Sequence, residues 1–399
     1  MNGRGGVLTA MLLMVMTAVF AEGQTCAEPF APVDDRQVVE TLRGRPTDPV
    51  WLETKRLRAL LRDDPQRLDV AVSLARRYIE QSRIDADPRY LGRAESVLGP
   101  WWALATPPAP VRLVRATIRQ SLHDFDGALA DLEALLRADP RQAQAWLTAA
   151  VIYQVQGRYA EARRHCAPLI GLAGDVVTAT CAASVGSMHG HAVSSYELLT
   201  RTVERQGGAN PSERQWAWTL LGEMASRLGR TNDAESHFQA ALAVGIKDPY
   251  LLGAYADWLL DHGRPADVLS LLQAERKVDA LLLRLVLAEW QMKRAEAVLD
   301  REILEARFEA ARRRGDRTHL REEARYVLHV LKEAERALAL AETNWRVQKE
   351  PADARLLLEA ALAAGQPLVA HPAVAWFRAN RVEDATLEPL VKQVERRHG

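Results

Sequence analysis

Between residues 215 and 248 the apolar positions recur three and four apart. Trp218, Leu221, Gly222 and Ala225 form one stripe and Ala234, Phe238 and Ala241 a second, so each half predicts an amphipathic helix. Gly229, followed by Arg230 and Thr231, predicts the turn between them. Small side chains at Gly222, Ala234 and Ala241 let the two helices approach closely, while Trp218 and Phe238 fill the wider gaps. The stretch reads as one helix–turn–helix unit of about 34 residues.

The same pattern returns along the chain. Residues 109–142 place His123, Asp124 and Phe125 at the turn and Ala128 and Leu132 in the second helix. Residues 143–176 carry Trp146, Ala150, Tyr153, Gly157, Tyr159 and Ala162 at the matching places, and a copy from Pro249 carries Ala256, Leu259, Gly263 and Leu272. An earlier copy with Leu74, Ala75, Tyr78, Ala94 and Leu98 has a longer turn at 84–89. Residues 177–206 look degraded. Ala183, Gly190 and Leu199 keep register, but Gly186 and Ser195 stand where bulk or alanine is expected. Arg301 and Glu335 open two further copies, with Gly315 at one turn and Ala354, Leu358 and Ala361 in the last second helix. Residues 281–305 read as continuous helix of unassigned pairing.

That order of large and small residues, at that period, resembles the tetratricopeptide repeat family, with Ala225 where tyrosine is usual and the late proline missing. The resemblance implies an all-α fold, a right-handed superhelical solenoid of antiparallel helix pairs. The expected division is a signal peptide at 1–21, an arm at 22–50 and N-terminal helices with an irregular pair at 51–108. Repeats follow at 109–206, a loop at 207–214, more repeats at 215–367, and polar capping helices at 368–399. In the family the first helix of each pair lines a concave face that binds a peptide or protein partner. On this chain that face would hold Gln154, Ser187, Met188, Trp216, Glu223, Arg227, Tyr250, Asp257, Asp261, Arg312 and Arg346, with Trp216 and Tyr250 as anchors.

Composition adds limits. With 48% hydrophobic and 26% charged residues the 399-residue chain is no disordered polymer, and repeats escape the size limit on a single core. Lys+Arg and Asp+Glu both total 52, which leaves no global field toward nucleic acid or acidic lipid. Arg4, the apolar run Val7 to Phe20 and Ala21 read as a cleavable secretory signal, too short to span a bilayer. No other stretch reads as a membrane span. An exported, periplasmic protein is expected.

No catalytic motif stands out, and carboxylate pairs such as Glu302 with Glu305, or Asp257 with Asp261, read as solvated helix faces. No enzyme activity and no cofactor are expected. Met188, His189 and His191 are the one metal candidate, since imidazole and thioether suit copper or nickel. They also fall where the repeat needs its turn, so a polar turn competes with an accessory role in metal handling. Cys166 ends one copy and Cys181 lies in the next, with the turn at 171–175 midway between them. An antiparallel pair sets both at one height, which predicts a disulfide; two small buried hydrophobes are the alternative. Cys26 is left over.

Overall fold

Nine helical hairpins follow one another in the computed structural model, which describes residue 34 and residues 48–205, 209–316 and 318–397. The expected signal peptide, Cys26 and nearly all of the arm at 22–50 lie outside the described residues. So do residues 207 and 208 of the expected loop. The chain separates into two units, Met1–Leu52, of which six residues are described, and Glu53–Gly399, which holds both cores and the cavity.

The helices run α1 Pro49–Asp63, α2 Leu68–Asp85, α3 Arg89–Val97, α4 Gly99–Trp102, α5 Ala109–Ser121 and α6 Phe125–Ala138. Next come α7 Ala143–Val155, α8 Tyr159–Cys166, α9 Asp175–Ser187, α10 Ala192–Arg205, α11 Pro211–Arg227 and α12 Thr231–Ala243. Then α13 Pro249–Asp261, α14 Pro265–Leu272, α15 Asp279–Gln291, α16 Ala297–Arg313, α17 Leu320–Tyr326 and α18 Ala334–Trp345 follow. Last are α19 Pro351–Ala363, α20 His371–Ala379 and α21 Glu388–Arg396. They form a right-handed superhelical solenoid of antiparallel pairs. No described helix is long and apolar enough to cross a membrane.

Each hairpin turns through one residue of left-handed backbone: Ala86, His123, Gly157, Gly190, Gly229, Gly263, Lys293, Lys332 and Gly365. Glycine enters this region without a Cβ penalty, so five of the turns are readable in the sequence, whereas Lys293 and Lys332 hide theirs. That accounts for a register error after Gln273. Helix α15 pairs with α16 inside the stretch left unassigned, Gly315 follows a second helix, and α19, with Ala354, Leu358 and Ala361, is a first helix. A π-helical segment, Val327–Leu331, extends α17 and breaks its period further.

Apolar stripes build two cores. One runs from Leu57 to Ile118 and the other from Ala116 to Val394, so α5 serves both. Ala150, Tyr153, Ala162, Leu221, Ala234, Phe238 and Ala241 are buried, while Trp146 and Trp218 are only partly so. Trp218 lies over His237 with ring centroids 5.3 Å apart. The pair α9–α10 keeps the helix–turn–helix form, with its two unusual small residues in contact. A Cβ at Gly186 would strike the Ser195 hydroxyl, so two small residues allow the close crossing.

Cys166 and Cys181 form a disulfide with Cα atoms 5.7 Å apart. Closing a loop of 15 residues restricts the unfolded chain by about 3 kcal/mol. Reduction is expected to lower the melting temperature, and non-reducing peptide mapping should recover the two cysteine peptides joined.

The C-terminal segment packs on α19 and does more than cap it. The Lys349 amide donates to the Val155 carbonyl at 2.7 Å, Trp376 Nε1 donates to the Tyr159 hydroxyl at 3.0 Å, and the Ala385 amide donates to the Arg227 carbonyl at 2.8 Å. Arg381 lies against the turn at Gly190, and Ala385 against the turn at Gly229. Residues 349–385 therefore cross the turns of three successive pairs and tie the end of the superhelix to its middle.

Candidate functional site

Helices α11 and α13 repeat one arrangement a period apart. On each, three residues spaced by seven and then four fall on one face: Trp216, Glu223 and Arg227, then Tyr250, Asp257 and Asp261. The opposite face of each helix is spent on packing, with Leu221, Gly222 and Ala225 on α11 and Ala256 and Leu259 on α13. What packing leaves over points inward.

There the first helices from α7 to α19 line a cavity of about 860 Å³. Gln154, Met188, Trp216, Glu223, Arg227, Tyr250, Asp257 and Asp261 all reach its wall. Ser187 is buried at its edge, where its hydroxyl accepts from Arg227 Nη2 at 3.1 Å. Arg312 and Arg346 are elsewhere. Arg312 ends a second helix and pairs with Glu309 and Glu323, and Arg346 follows another second helix, so neither lines the cavity.

The opposite wall was not legible as such. Arg284 of the adjacent α15, and Arg325 of the extended α17 and Arg355 of α19 from further round the superhelix, reach the acidic stripe. Asp257 accepts from Arg284 and from Arg325, both at 2.5 Å. Asp261 takes both terminal nitrogens of Arg355, at 2.6 and 2.8 Å. Arg355 also donates to Glu359 at 2.8 Å, and His329 from the π segment meets the other Glu359 oxygen at 3.1 Å. Burial alone would raise the Asp257 carboxyl, but Arg284 and Arg325 outweigh it and hold the group at about 2. Asp257 and Asp261 are thus spent on closing the superhelix rather than left open to a partner.

Three groups keep a freer aspect. Tyr250 remains 59% exposed although it stands inside the cavity, and it donates to Glu223 at 2.7 Å. Trp216 is half-buried on the same wall, and Trp290 of α15, which sequence reasoning missed, is exposed along it. Gln154 is engaged, accepting from the Ser184 hydroxyl at 2.7 Å.

The metal candidate forms the turn of α9–α10. Met188 is buried, Gly190 is the left-handed residue, and the His189 ring lies 6.1 Å from that of Tyr159. Among the described residues no three His, Cys, Asp or Glu side chains converge as a metal site would require.

Hairpins stacked so that their first helices enclose a cavity define a helical-repeat solenoid protein. A family model described as Tetratricopeptide repeat matches residues 121–175, the stretch from the end of α5 to the start of α9. Solved structures with a similar course include a tetratricopeptide repeat protein from Parabacteroides merdae, at 15% identity and TM-score 0.42, covering 64% of this chain and 91% of that one. The Rap protein complexed with competence and sporulation factor is similar over 87% of this chain and 93% of its own, at 15% identity and TM-score 0.46. PilW, a type IV pilus biogenesis factor, matches at 14% identity and TM-score 0.34, over 71% and 98%. No curated protein matches the chain.

Proposed function

We propose that the protein is an exported, non-enzymatic adaptor that holds a segment of a partner protein in its central cavity. One observation carries the reading: the first helices of seven successive pairs contribute to one cavity of about 860 Å³, with Trp216, Tyr250 and Trp290 along its wall. Rigid, partly exposed aromatic rings in a concave site are the commonest anchors of protein recognition. A cavity of this size takes a few residues of extended chain rather than a folded domain. Export is supported by the secretory pattern at residues 1–21, and a disulfide between Cys166 and Cys181 suits an oxidising compartment.

The test is capture from a periplasmic extract on the immobilised protein. Wild type should retain a partner that Trp216→Ala/Tyr250→Ala loses, while the two proteins melt alike. Equal capture by both would place binding outside the cavity.

A further inference from the structure

The cavity is rich in charge, and most of its carboxylates are paired within the chain. Asp257 and Asp261 hold three arginines, Glu359 takes Arg355 and His329, and Glu350 takes Arg321 at 2.9 Å. Glu223 differs. Among the described residues it makes no ion pair, and its one side-chain partner is the Tyr250 hydroxyl.

That isolation is set by its neighbours. A glutamate four residues before an arginine is the favourable order for a pair along a helix, and Arg227 stands in that place. Yet Arg227 turns to the Ser187 hydroxyl, and Tyr250 holds Glu223 toward the cavity. The local pair is left unmade. Burial raises the Glu223 carboxyl, with Arg227 and the Tyr250 hydroxyl offsetting this in part, so a further cation placed beside it would favour its charged form.

The surroundings suit a cation on an apolar stem. Trp216 lies two turns earlier on the same face of α11, about 10 Å along the axis. The Tyr250 ring stands open beside Glu223. Aromatic faces accept the methylenes of lysine or the plane of arginine, and they attract the charge itself. Asp248, which caps α13 by accepting from the Tyr250 amide at 2.7 Å, adds a second carboxylate on this side of the cavity.

We propose that Glu223, framed by Tyr250 and Trp216, anchors a basic side chain, lysine or arginine, carried by an extended partner segment. The inference rests on the cavity being the binding site. It assigns the partner a chemistry: a segment that brings at least one cation to a carboxylate that makes no ion pair among the described residues.

Three fluorescein-labelled, end-capped nonapeptides test it by fluorescence polarisation at low salt: alanine alternating with lysine, with glutamine or with glutamate. The lysine probe should bind best to wild type. Glu223→Gln should weaken it about tenfold, the scale of one charge-assisted hydrogen bond, while leaving the glutamine probe and the melting temperature unchanged. Trp216→Ala should weaken both the lysine and the glutamine probes. Equal binding of the lysine probe to Glu223→Gln and wild type, a preference for the glutamate probe, or no binding of any probe overturns the basic anchor. If Trp216→Ala still weakens binding when Glu223→Gln does not, the cavity reading survives and only the anchor falls. If neither variant changes probe binding or partner capture, both fall.

Discussion

Asp131→Ala should destabilise the protein by about 3–5 kcal/mol, the range for removing one partner of a buried ionic group. Asp131 is 5% exposed and Arg115 6%. The carboxylate takes Arg115 Nη2 at 2.5 Å and Nε at 2.7 Å, and Arg119 Nη1 at 2.9 Å. Arg115 in turn donates to the carbonyls of Trp102 and Leu104, fixing the chain where it leaves the first hairpin. Without Asp131 one arginine is left buried and uncompensated on α5, the helix shared by both cores. The loss should appear in chemical denaturation, and limited proteolysis should open the segment near 102–108 first. Asp131→Asn, which keeps an acceptor of the same shape, should lose less. A denaturation midpoint unchanged in Asp131→Ala would mean that water enters the joint and the pair is not buried.

This joint also shows where reading by sequence stops. Arg115 and Asp131 lie on separate helices with nothing local to link them, and no spacing rule singles them out. The same holds across the cavity. Trp216, Glu223 and Arg227, with their counterparts Tyr250, Asp257 and Asp261, were legible because they sit at fixed offsets from packing residues that repeat with the period. Arg325 and Arg355 were not, because the positions that would number them are shifted. The turn at Lys293 follows Gly263 too soon for the period, Lys332 replaces the expected glycine, and the π segment Val327–Leu331 moves His329 out of step. Arg312 and Arg346 were drawn onto the concave face by that displaced register. Charge at 368–399 suggested a solvent-facing cap. The apolar residues among those charges, Trp376 and Phe377, instead face inward, and Trp376 reaches Tyr159.

The packing beneath the cavity wall makes the other large prediction. Phe238 is 1% exposed, touches Gly222 of α11, and its ring lies tilted against that of Tyr255 of α13 with centroids 5.3 Å apart. A Cβ on Gly222 would stand 2.7 Å from its ring. Glycine here serves proximity, not backbone freedom, because it lies within a regular helix. Phe238→Ala should cost about 3–5 kcal/mol through lost contact and the cavity left behind. Gly222→Leu should cost about 1–3 kcal/mol, because the fully buried ring has no room to move aside. The double variant is the decisive measurement. A leucine at 222 points into the volume the ring vacates, so Gly222→Leu/Phe238→Ala should be more stable than the two separate losses predict. Additive losses would mean that the two residues are not in contact and that the register of α11 against α12 is wrong. That register also places Trp216 and Glu223. One shift along α11 would turn them out of the cavity, so a stability cycle on two buried residues tests the orientation on which the binding proposal depends.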